Sequence, residues 1–132
     1  MTIRIWNAET GAAVGNPLEG HNGYVLLVAY SPNGRHIISG SSNKTIRIWN
    51  VETGSAVTEP LEVHNGLVLS VAYSIHGCHI IPGSLDKTVL IWNVETDFAI
   101  GKPLEGHNQG VQSVAYSPSG RHITSGSSDK TI

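Results

Sequence analysis

The sequence is short of charge, of cysteine and of long apolar runs, and each shortage removes a class of protein. Asp, Glu, Lys and Arg make up 14% of the 132 residues, against roughly 25% in an average globular domain. Hydrophobic residues make up 39%. Disordered chains have the opposite balance, so a folded core is expected. The formal net charge is −2 and no cluster of Lys and Arg occurs, which argues against a nucleic-acid partner, because gripping phosphates needs concentrated positive charge. One cysteine, Cys78, cannot close a disulfide within the chain, as suits a reducing compartment. Apolar runs such as Val25–Tyr30 fall far below the ~20 residues of a membrane-spanning helix. Residues 1–7 show no basic region followed by an apolar stretch, so no secretory leader is visible. A cytoplasmic protein with no membrane partner is the expectation. The 15 glycines form no GxGxxG or GxxxxGK[ST] spacing, so no phosphate-cradling loop and no cofactor is indicated.

What the sequence has is repetition, the first thing to look for because it sets the whole fold. Trp6, Trp49 and Trp92 stand 43 residues apart, as do His21, His64 and His107. Val28-Ala29-Tyr30-Ser31 returns at Val71 and at Val114, and Pro17-Leu18-Glu19 returns at Pro60 and at Pro103. The chain therefore reads as one region, 1–132, with repeats at approximately 1–43, 44–86 and 87–129.

Each period reads as short strands. Residues 24–30 (YVLLVAY) form a nearly unbroken apolar, β-branched run, the mark of a strand covered on both faces. Asn33-Gly34 follows as a hairpin signal, since both residues tolerate positive φ. His36–Ser41, Thr45–Asn50 and a poorer segment at 55–61 supply three more strands. Four strands in meander order make one propeller blade. An all-β fold of about three four-stranded antiparallel blades is expected, with no helix longer than a turn.

The residues Gly20-His21, Ser39-Gly40-Ser41 and Ile46-Arg47-Ile48-Trp49-Asn50 resemble the WD40 repeat, with Asn50 in place of the usual final Asp. The wording of the repeats also resembles those trailing fungal NACHT-type signalling proteins. The resemblance implies strands lettered a to d outward from a central channel. Residues 2–7 are then a strand c and 12–18 a strand d. Two full blades follow, and 111–127 supply strands a and b. Three blades' worth of strands cannot close a ring of the usual four to eight. Left open they expose edges and apolar faces. A homo-oligomeric ring, six-bladed as a dimer or nine-bladed as a trimer, is one expectation. A piece of a longer propeller is the other.

His, Ser and Asp recur together, a combination that elsewhere makes a hydrolase triad. A catalytic set is usually built once, whereas a packing device returns in every repeat. The resemblance implies a buried tetrad instead. Its members are His21, Ser39, Asn43 (at the Asp position) and Trp49 in the first blade. The second blade has His64, Asp86 and Trp92, with Pro82 where the Ser should be. The third has His107, Ser125 and Asp129, with a tryptophan equivalent to Trp6. Asn43 weakens the first network, because a neutral amide accepts less strongly than a carboxylate. Pro82 and Val63, the latter where Gly20 and Gly106 stand in its neighbours, make the second blade the expected weakest. His76, Cys78 and His79 are only three candidate ligands on one hairpin, short of a structural zinc set; no metal is expected. Lys44, Lys87 and Lys130 read as solvated turn residues.

Positions that vary between matched repeats are free of packing constraint. Tyr24 and Leu67, Leu26, Leu69 and Gln112, and Ser42, Leu85 and Ser128 fall, by the resemblance, at the channel mouth, where such proteins commonly hold peptides. Tyr24, Leu67 and Leu85 are suited to anchor a partner. The expected function is a non-catalytic scaffold for a protein or peptide partner. A carbohydrate or small-ligand propeller with one site per blade is the alternative, weakened because Tyr24 has no aromatic counterpart at Leu67 or Gly110.

Overall fold

A computed structural model describes residues 1–130; Thr131 and Ile132 lie outside the described residues. Twelve strands and no helix are present among them. Strands β1 (Thr2–Trp6) and β2 (Ala13–Glu19) form a two-stranded sheet. Strands β3 (Val25–Tyr30), β4 (His36–Ser41), β5 (Thr45–Asn50) and β6 (Leu61–Glu62) form a four-stranded antiparallel blade in chain order. A second blade follows from β7 (Val68–Tyr73), β8 (His79–Ser84), β9 (Trp92–Asn93) and β10 (Phe98–Ala99). Last comes a pair, β11 (Val111–Tyr116) and β12 (Ile123–Ser127). The all-β blade architecture is as the repeat predicted. Two blades are complete, two are halves, and the described strands form separate sheets without closing a ring.

Three apolar layers glue the sheets. Ile3 and Leu18 of the β1–β2 pair meet Ile37 and Trp49. Ile38, Ile46, Ile48 and Leu61 of the first blade meet Val68 and Ile80 of the second. Ile81 and Val89 of the second meet Val111, with Val114, Tyr116 and Ile123 packed alongside. Burial of such side chains is the main favourable contribution to folding.

Four details depart from expectation. The run 24–30 is covered on one face only: in β3 exposure alternates, with Leu26, Val28 and Tyr30 open to solvent. The counterpart β7 lies between β3 and β11 and carries no exposed residue. The Asn33-Gly34 turn places only Gly34 at positive φ, +70°. Asn33 instead uses its side chain, accepting from the Ser31 hydroxyl and the Arg35 amide. Segment 55–61 pairs only at its ends, Trp49 opposite Ala56 and Ile46 opposite Leu61, and Pro60 between them offers no donor. Finally, the recurring lysines sit in left-handed backbone, with φ of 69° at Lys44, 77° at Lys87 and 66° at Lys130. They shape the turn as well as facing water.

The second blade is visibly poorer in ladder. Strands β4 and β5 align five residue pairs, from His36↔Asn50 to Gly40↔Ile46. Strands β8 and β9 align two, His79↔Asn93 and Ile80↔Trp92, before an isolated bridge at Gly83↔Val89. Pro82 sits in the gap. Its carbonyl accepts from the Leu90 amide at 3.1 Å. In an antiparallel pair the N–H and C=O of one residue point to the same neighbour, so the N–H that Pro82 lacks is the one that would return the bond to Leu90.

Candidate functional site

Two groups of side chains carry the repeat's chemistry: a polar network inside each blade, and variable residues at one end of the inner strands. In the first blade Ser39 lies on the central strand β4, fully buried. The Trp49 indole donates to its oxygen at 2.8 Å, and His21 Nε2 lies 2.8 Å from the same oxygen. The His21 Nδ1 side faces the Thr45 hydroxyl at 3.5 Å, which donates to Asn43 Oδ1 at 2.7 Å. The Arg47 guanidinium stacks over Trp49 at 5.8 Å, a cation–π contact. Gly20 makes this fit possible: a Cβ there would press on Arg47 and Trp49 at 3.2–3.3 Å, and its φ is +152°.

The second network is built differently. His64 Nδ1 lies 2.8 Å from Asp86 Oδ2, and Thr88 donates to Asp86 Oδ1 at 2.7 Å. With no hydroxyl at Pro82, His64 Nε2 lies 3.2 Å from the Pro82 carbonyl oxygen instead. The Trp92 indole nitrogen is buried without a hydrogen-bond partner. In the third, His107 Nε2 lies 2.9 Å from Ser125 Oγ, and Nδ1 lies 3.1 Å from Asp129 Oδ2, which also accepts from the Asn108 amide. Trp6 does not join this set within one chain. It lies on β1, in a different sheet, 58% exposed.

Thr45 and Thr88 were not anticipated, although threonine recurs at 45, 88 and 131 in the sequence. Their hydroxyls bridge the imidazole to the turn Asn or Asp.

Burial is the main reason His21 titrates below its ordinary 6.5, aided by the Arg47 charge and opposed by the Asn43 side chain and the Ser39 backbone. Burial pushes Asp86 up, yet Thr88 and His64 together hold it below the ordinary 3.8. Both shifts act the same way on stability. A histidine with a lowered folded pKa loses stability as pH falls below 6.5, since the unfolded chain takes the proton first. A lowered carboxyl contributes above its unfolded value and is lost as pH falls through the folded one. The urea midpoint is therefore expected to decline from pH 7 toward pH 5 through His21, and again below about pH 4 through Asp86. Asn43→Asp places an anion beside His21 and should flatten the first decline; an unchanged slope would remove His21 as its cause.

The variable residues gather at strand ends. Tyr24 is 68%, Leu26 43% and Leu85 48% exposed, while Leu67 and Leu69 are half-buried. The frame beneath them is hydrogen-bonded: Ser42 Oγ accepts from the Tyr24 amide at 2.8 Å, the Leu85 amide donates to the Leu67 carbonyl, and Gln112 donates to Ser128 Oγ at 3.1 Å. Leu85 lies against Gly110, where an added Cβ would meet its Cδ1 at 2.8 Å. Among the described residues no group of three His, Cys, Asp or Glu side chains could hold a metal ion. Cys78 Sγ lies 3.8 Å from the His76 carbonyl oxygen.

No curated protein matches the chain. The profile of the WD domain, G-beta repeat, matches residues 13–50, 55–93 and 100–132. These matches cover well over half of the sequence, and the chain belongs to the WD40 repeat family.

Proposed function

We propose that this chain is a non-catalytic docking module that holds a peptide segment of a protein partner across the strand ends at Tyr24, Leu26, Leu69 and Leu85. The family is one of interaction and recognition modules in general. The observation that carries the specific reading is exposure on a hydrogen-bonded frame. Large apolar side chains at Tyr24, Leu26 and Leu85 are open to solvent, while the backbone below them is fixed by Ser42 and by the Leu67–Leu85 bond. Exposed aromatic and aliphatic anchors on a rigid frame lose little entropy on binding. The Ser39 hydroxyl supports a structural role for the polar networks: it is sealed inside the blade and serves Trp49 and His21. We place the protein in the cytoplasm, on the strength of its lone cysteine, and working as an assembly of copies.

Peptides selected from a random library against the chain test the reading. Binders should raise the melting temperature, since a ligand of the folded state stabilises it. Leu85→Asp should weaken them at least ~10-fold, about 1.4 kcal/mol, without changing the far-UV circular dichroism. Peptides whose affinity ignores both Leu85→Asp and Tyr24→Ala would place docking elsewhere.

A further inference from the structure

The β11–β12 pair holds an open cavity of about 330 Å³ lined by Val89, Leu104, Gly106, His107, Ile123 and Ser125. Two repeats earlier, the same positions are Ile3, Leu18, Gly20, His21, Ile37 and Ser39. Those residues surround Trp49. Ile3, Leu18 and Ile37 form its apolar cluster, Ser39 takes its indole N–H, the His21 ring meets its edge at 6.2 Å, and a Cβ on Gly20 would touch its ring. At Gly106 a Cβ would meet nothing within 4 Å. The cavity is a tryptophan slot with no tryptophan among the described residues.

The complement lies on the same chain. Trp6 is the repeat equivalent of Trp49 and stands 58% exposed on β1. On β3, Val28, 55% exposed, and Tyr30 are open to solvent as well. Their equivalents Val71 and Tyr73 pack into the layer between the two blades, and Val114 and Tyr116 pack into the next layer. The chain thus shows twice, within itself, what covers this face: the inner two strands of a preceding blade. On β11 the residues that would do the covering, Ser113 and Ala115, are exposed.

We infer that a second copy of this chain docks head to tail, its Trp6 entering the Val89–Leu104–Ser125 slot and its β1 adding to the edge of β12 that no described strand pairs with. The register follows from β4 and β5, where Ile37 faces Trp49 and Ser39 faces Arg47: Ile123 faces the incoming Trp6, and Ser125 faces the incoming Arg4. The indole N–H then donates to Ser125 Oγ, as Trp49 donates to Ser39. The contact is heterologous, so copies close only if their rotations complete a circle. Two copies give six blades, inside the usual range of four to eight, whereas three give nine. Two is the number.

This inference is independent of the peptide reading, because it concerns the blade faces and not the strand ends. Light scattering at about 50 µM on the full chain is expected to give twice 14.1 kDa. Trp6→Ala, and separately Val28→Glu, should each halve that mass with unchanged far-UV circular dichroism, since both side chains are already exposed in a single copy. Ser125→Leu, which fills the slot, should do the same. Mixing Trp6→Ala with Ser125→Leu should restore the doubled mass, because one intact slot and one intact tryptophan remain between the two variants. A 14.1 kDa wild type, a three-copy ring, or a dimer indifferent to both Trp6→Ala and Val28→Glu overturns the inference.

Discussion

Replacing Trp49 by alanine lowers the folding free energy by about 3–5 kcal/mol, the cost of a large cavity in a packed interior. Trp49 is 2% exposed and touches three systems at once. Its ring packs with Ile3, Leu18 and Ile37, its N–H satisfies Ser39, and its face carries the Arg47 guanidinium. Alanine removes all three and leaves Arg47 over an empty space. Native stabilities are only about 5–15 kcal/mol, so the variant should sit near the edge of folding. Urea titration at constant slope gives the measurement. A loss under about 1 kcal/mol would mean that the β1–β2 pair does not cover the first blade, since that cover is what buries the ring.

The opposite sign is expected at the second blade. Pro82→Ser should stabilise the chain by about 1–3 kcal/mol. The hydroxyl takes the place that Ser39 Oγ holds between Trp49 and His21, giving the orphaned Trp92 N–H an acceptor; a buried unpaired donor costs about 1–3 kcal/mol. The restored backbone N–H returns the missing bond to Leu90, worth roughly 0.5–1.5 kcal/mol. Against this, losing a proline frees the unfolded chain by about 0.4–1 kcal/mol. The gains exceed the loss. A rise in urea midpoint at unchanged slope checks the sum. An unchanged or lower midpoint would show that Trp92 is already satisfied by water, or that the β8–β9 ladder breaks for a reason other than Pro82.

The two substitutions also show where sequence reasoning reached and where it stopped. Pro82 and Val63 mark the second blade as the one expected to be weakest, and its β8–β9 ladder is the shorter of the two. The imidazole-to-turn bridge of Thr45 and Thr88 went unread, though the residues recur with the rest, because a small hydroxyl carries no hydropathy signal. Run 24–30 reads as covered on both faces because it is nearly unbroken in apolar and β-branched residues. What differs is the neighbour: β7 has sheets on both sides, and β3 has one.

The sequence by itself determined the repeating unit: its strands, their pairing order and, through the family resemblance, which His stands with which turn Asn or Asp. These follow from contacts within a repeat, and a period of 43 residues writes such contacts out several times over. Only the tertiary structure decided that Trp49 is sealed while Trp6 is open, and that the matching slot at Ser125 holds no tryptophan among the described residues. Burial depends on what stacks against a sheet, and a repeat that looks the same everywhere cannot say which of its copies has a neighbour.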